Sequence, residues 1–202
     1  MLGLVDLEKM LIPRCGLSFL VRDPQAKRCR SASLAFHIGS VEGSGCAAAS
    51  VNAALRSACQ TWNAALAQRE IQLVEVSDPQ QASLRFSWVD TYDEDYAFGI
   101  VDLAHADYPG TCTDLGLPSA SPRPVHFLTF MTSLGRESER WTTSLKEGDH
   151  DIETIALHEL GHCLGLGHGV RGSVMEVTIP SGTLRRRLQK DDLLQLQEIY
   201  GH

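Results

Sequence analysis

The sequence predicts an α+β fold, a twisted mixed sheet of about five strands with three helices packed against it. Three observations carry that prediction. Short alternating stretches bounded by glycine or proline recur up to residue 131. Three other stretches repeat their apolar residues at helical spacing or open on helix-starting acids. Their order along the chain is β-α-β-β-β-β-α-α, which interleaves the two kinds of element.

From Ser31 the pattern is regular. "SLAFHIG" reads as a first strand, ended by the glycine-rich "GSVEGSG". Across 47–68, Val51, Leu55, Cys59, Trp62 and Leu66 recur at helical spacing, so one stripe faces a core. "IQLVEV" and "ASLRFSW" alternate as strands. "GIVDLAH" and "PVHFLTFM" read as two more, separated by the loop "ADYPGTCTDLGLPSASPR". A second helix begins near Asp151, with acids in its first turn where the helix dipole favours them. A third spans about 189–200. "KDD" opens it, and Gly201 stands where a C-terminal cap belongs. Residues 1–30 differ: "RDPQAKRCR" is polar and basic and reads as a linker, so the regular domain is placed at 31–202.

A length of 202 residues suits one domain with an extension and allows a sizeable core. A formal net charge of -7 argues against nucleic acid or an anionic membrane as partner, since both select a basic surface. The one dense basic run, "RRR" at 185–187, reads as a solvated face. No apolar run reaches the length of a membrane span. Acids interrupt "MLGLVDLEKMLIPRCG", which is therefore not a signal peptide. The protein stays inside the cell, or the numbering starts after a removed signal. The six cysteines permit disulfides without demanding them.

The chemistry concentrates in "HELGHCLGLGH", residues 158–168. On a helix His158 and His162 lie about 40° apart around the axis and roughly 6 Å along it, so both imidazoles can reach one ion. His168 cannot join them from a continuing helix, because six residues turn about 600°. The chain must therefore stop and double back, and Gly165 can take the left-handed conformation that allows it. Three neutral imidazoles make a catalytic-type zinc site with one open position. Glu159 lies beside the first histidine, where its carboxylate can take a proton from water. Cys163 falls about 140° from His158, on the stripe of Ala156, Leu160 and Leu164, and reads as a core thiol.

With these residues the chain resembles the metzincins, specifically the matrixins, the catalytic type of the matrix metalloproteinases. "HELGHCLGLGH" matches their HExxHxxGxxH pattern at every fixed position. "SVMEV" resembles their Met-turn, with Met175 as the apolar floor under the zinc. "LQKDDLLQLQEIYG" is similar to the family's last helix and "DLAHADYPG" to its upper edge strand. The resemblance covers about residues 33–202 and implies a metzincin-like zincin fold. "PRCG" at 13–16 resembles the cysteine-switch motif of the family's prosegment. It implies that 1–30 is a short prosegment and that Cys15 holds zinc's open position in a latent zymogen.

The family's structural zinc would take His105 and His126 from this chain. Upstream, "DTYDEDYAF" has Asp90, Asp93 and Asp95 but no histidine, and a carboxylate oxygen can serve zinc instead. Two ordinary strand histidines beside a solvated acidic loop is the plainer alternative. Leu128 replaces a family aspartate at one calcium site, although the acidic loop offers oxygens for calcium. "LSF" follows "PRCG", so Arg14 lacks the aspartate it pairs with in the family. Gly169 stands where matrixins have serine, and Glu176 where tyrosine follows the methionine. The pocket for the side chain beyond the scissile bond therefore cannot be transferred. Cys29, Cys46, Cys59 and Cys112 would allow two disulfides in a secreted setting, with Cys59 equally suited to the core.

The expected function is a secreted, monomeric zinc endopeptidase acting on protein or peptide substrates. An extended substrate would add a strand at 101–106 through the backbone of Leu103 and Ala104. An activating protease would cut in "KRCR". The alternative is a catalytically silent zinc-binding module that recognises peptides, for which Glu159 would have no use.

Overall fold

The computed structural model describes residues 33–69, 71–89, 103–106, 123–128, 140–144 and 149–201. Seven strands and three α-helices lie among them: β1 Ser33–Ile38, α1 Ala48–Leu66, β2 Gln72–Glu75, β3 Leu84–Val89, β4 Ala104–Ala106, β5 Arg123–Leu128, β6 Arg140–Thr142, β7 Asp149–Asp151, α2 Ile152–Cys163 and α3 Lys190–Tyr200. The main sheet has five strands in the order β2-β1-β3-β5-β4. Its first four are mutually parallel, while β4 runs antiparallel to β5 at the edge.

β1 alternates as the sequence predicts. Leu34 and Phe36 turn inward, and Phe36 meets Phe86 of β3 edge-to-face at 5.9 Å. All five residues of the predicted α1 stripe are buried, with Ala54 and Ala58 filling the narrow gaps between them. Two polar side chains on α1 then fix its place. Asn63 donates to the Leu73 carbonyl and accepts from the Leu73 N–H, which ties the helix to β2. Trp62, fully buried, donates its indole N–H to the Leu157 carbonyl at 2.9 Å and so couples α1 to α2.

Helix α2 is the centre of the molecule, and every one of its twelve residues is buried. A helix covered on all sides needs neighbours all round, and here α1, β4 and β7 pack on it. Its start follows the dipole rule, since Asp151 caps it by accepting from the Thr154 N–H at 2.9 Å. It stops at Leu164. Gly165 has φ 92°, its N–H donates to the His162 carbonyl and the Leu166 N–H donates to the Gly161 carbonyl. Those bonds satisfy carbonyls that the helix end would otherwise leave open. The Tyr200 hydroxyl, from α3, donates to the Leu164 carbonyl.

Two expectations change. The pair β6 and β7, parallel and apart from the main sheet, has no counterpart in the predicted order. Three-residue strands are too short to show alternation. The run 185–187 is also not simply a solvated face. Arg186 forks onto the buried Asp151 carboxylate through Nε at 3.0 Å and Nη2 at 2.5 Å, and donates to the Thr143 carbonyl. Arg185 is likewise tied down, and only Arg187 is exposed. Cys59 is a free thiol in the core rather than a disulfide half, and the Cys46 thiol donates to the Trp141 carbonyl.

Candidate metal centre

His158 and His162 project from successive turns of α2, and the bend at Gly165 returns His168 to meet them. The ligand nitrogens of the three lie within 4.8 Å of one another. The rings stand 4.7, 4.9 and 5.5 Å apart between centroids. Nothing else among the described residues gathers three metal-binding side chains in this way.

The hydrogen bonds show which nitrogens face inward. Nδ1 of His158 lies 2.8 Å from the Val174 carbonyl, and Nδ1 of His162 lies 2.9 Å from the Leu166 carbonyl. A carbonyl only accepts, so each Nδ1 carries the proton and each Nε2 keeps its lone pair. Those two Nε2 atoms face each other at 3.0 Å. Two buried lone pairs at that separation repel unless a cation lies between them. The residues therefore fit a zinc ion, and a backbone carbonyl behind each imidazole is the usual second shell of such a ligand.

Burial drives the His158 imidazole down to about 3, with His168 and Arg185 adding to the effect and the Val174 hydrogen bond opposing it. The ring is thus neutral and ready to ligate at neutral pH. A prediction for the metal-free chain follows from the sign of the shift. Above about 6.5 the imidazole is neutral in both folded and unfolded chains, so it contributes no pH dependence. Between about 6.5 and about 3 the unfolded chain takes up a proton that the folded one refuses. Stability should drop as the pH is lowered through that window, by up to about 1.4 kcal/mol per unit from this group. Urea unfolding in chelator should show that slope in the parent chain and a shallower one in His158→Gln; equal slopes would contradict the assignment.

Met175 is fully buried and packs against α2 at Gly161. A Cβ on Gly161, between the two helical ligands, would come within 2.3 Å of the Met175 sulfur and 3.1 Å of the Trp62 ring. Only glycine lets the thioether lie this close against the helix. Asp192 of α3 holds the turn from behind. Fully buried, it accepts from the N–H groups of Val174 and Met175, each at 3.1 Å, and from Gln189 at 2.7 Å. The acids of "KDD" predict a helix start, and Asp192 does close a capping box there. Its reach into the Met-turn had no sequence signal.

Glu159 adjoins His158 on α2 and is 1% exposed. Leu103 and Ala104 are buried at the edge of the main sheet, Ala104 within β4. His105 of β4 is the register partner of His126 of β5. Cys15, the acidic stretch with Asp90, Asp93 and Asp95, and Cys29 and Cys112 lie outside the described residues.

A mixed sheet backed by a buried helix that presents two histidines, with a third returned by a glycine turn, defines a zincin-type metalloprotease domain. The matrixin family model, peptidase M10, matches residues 28–201, and the chain belongs to that family of metalloendopeptidases. Karilysin of Tannerella forsythia is 30% identical over 74% of this chain and 28% of its own length. Matrix metalloproteinase-19 of Homo sapiens is 31% identical over 96% of this chain and 35% of its own. Metalloendoproteinase 4-MMP of Arabidopsis thaliana is 32% identical over 57% and 35% respectively. The chain spans about a third of the length of these curated relatives.

Proposed function

We propose that residues 31–202 form the catalytic domain of a secreted, monomeric zinc endopeptidase, and that 1–30 form a prosegment whose Cys15 keeps it latent. The observation that carries the reading is the approach of the Nε2 atoms of His158 and His162 to 3.0 Å, with His168 closing the triad. Zinc bound there supplies Lewis acidity to the scissile carbonyl and to the attacking water. His158, His162 and His168 would hold it.

The protein's own groups do the rest. Glu159 accepts the proton of the attacking water and delivers it to the leaving amine nitrogen. The outer side of β4 has no strand beside it among the described residues. An extended substrate can therefore pair with the backbone at Leu103 and Ala104. In the latent chain the Cys15 thiolate would serve as a further zinc ligand and so keep water from the metal. His105 and His126 would hold a second, structural zinc, a reading supported by their direct register pairing. Calcium would use carboxylates of the acidic stretch at 90–95.

Limited trypsin treatment, cutting after Arg28 or Arg30, should release activity on a quenched peptide. A chelator should abolish that activity and added zinc restore it. Peptide binding without cleavage under these conditions would favour a silent recognition module and contradict the proposal. Cys15→Ala should be active without any cut, and full latency in that variant would eliminate the switch while leaving the zinc reading intact.

A further inference from the structure

We propose that the Arg185–Glu176 ion pair is a positioning device for the metal centre, clamping the 172–176 loop that orients two of the three histidines. The inference rests on the reading of the triad as a zinc site. His158 depends on this loop through the bond between its Nδ1 and the Val174 carbonyl. His168 depends on it through its chain neighbour, because Gly169 bridges to Glu176 and the Gly169 N–H donates to the Met175 carbonyl at 2.7 Å.

The pair holds loop groups that Asp192 does not touch. One oxygen of Glu176, Oε2, accepts from Arg185 Nη2 at 2.6 Å and from the Gly172 N–H at 2.7 Å. The other arm of the guanidinium, Nη1, donates to the Ser173 carbonyl at 3.0 Å. Arg185 thus grips Ser173 and Glu176, on either side of the Val174 carbonyl that steers His158. The arginine is anchored in turn. Its backbone N–H donates to Thr154 Oγ1 at 2.9 Å, and that hydroxyl donates to Asp151, the N-cap of the helix bearing His158 and His162.

The chain therefore closes a ring from the start of α2, through Thr154, Arg185 and the loop, back to His158 in the middle of the same helix. With the two side chains 17% and 20% exposed, the pair is sheltered enough to act as more than a screened surface contact. Arg187, exposed on the same segment, provides a natural control.

The test is zinc affinity of the trypsin-cut chain by competition with a chromophoric chelator, together with the visible spectrum of the cobalt-substituted protein. Arg185→Met and Glu176→Gln should each weaken zinc binding about 10–100-fold and alter the cobalt bands. The double variant should be no weaker than the worse single, since both act through one device. Arg185→Lys, which keeps the charge beside Glu176, should recover part of the affinity, and Glu176→Gln carries the test if Arg185→Met does not fold. Arg187→Met should match the parent. Parent-like affinity and cobalt spectra in Arg185→Met and Glu176→Gln, or in Glu176→Gln alone if Arg185→Met does not fold, would overturn the inference alone. Absence of zinc binding by the parent itself would overturn the metal reading and the inference with it.

Discussion

Glu159→Ala is expected to keep its zinc and lose peptide hydrolysis by at least about 10²–10⁴-fold, the usual contribution of a positioned general base. The two halves of that outcome have separate causes. Zinc is retained because the triad His158, His162 and His168 does not include Glu159. Hydrolysis is lost because no other carboxylate adjoins the ligands along α2: the helix's remaining acid, Glu153, receives the Ser57 hydroxyl and pairs with Arg186 at the far N-terminal turn. Measuring kcat on a quenched peptide and zinc content on one preparation separates the two. Turnover at parent level would remove Glu159 from the mechanism, while loss of zinc would make it a structural support of the site.

The largest effect on stability is expected at Asp192. Its carboxylate accepts three backbone N–H groups, from Val174, Met175 and Gln189, in a position with no solvent exposure. Asp192→Ala strands all three donors, and each buried donor left without a partner costs about 1–3 kcal/mol. A loss of at least about 3 kcal/mol should follow on that basis, visible as a lower urea midpoint at unchanged slope. Asp192→Asn keeps one accepting oxygen but turns an NH₂ toward the other donors, so an intermediate loss is expected. The same carboxylate holds the peptide whose carbonyl meets His158, so chelator should strip zinc more readily from both variants. A loss below about 1 kcal/mol for the alanine variant would mean that the turn keeps its shape without this anchor.

What the sequence disclosed divides along a physical line. Features written in neighbouring residues were legible. The five-residue stripe of α1 follows from helical period alone, and all five positions are buried. The meeting of His158, His162 and His168 follows from period plus one glycine, and Gly165 does take positive φ. The mixed sheet was legible from element order, although its parallel register and the edge position of β4 come from packing.

Features that depend on distant chain segments were not. Arg185 and Arg186 look like a solvated basic run because nothing nearby signals their partners. Arg186 finds Asp151 thirty-five residues away, and Arg185 finds the turn around Ser173 and Glu176. Asp192 likewise reads as an ordinary first-turn acid, and its interior role depends on where α3 docks. The strands β6 and β7 are three residues each and pair only because Arg140–Thr142 lies beside the strand that feeds α2. Burial pushes the Cys59 thiol up, and nearby Cys163 and Glu75 add to it. Composition alone could not separate this core thiol from a disulfide candidate.

The most direct measurement is the zinc content of the purified chain beside that of its His162→Ala variant, both shown to be folded by circular dichroism. The account predicts that the parent carries zinc and that the variant carries about one ion per chain fewer, since two imidazoles cannot retain what three hold. Equal zinc in the two proteins, or none in the parent, would contradict it.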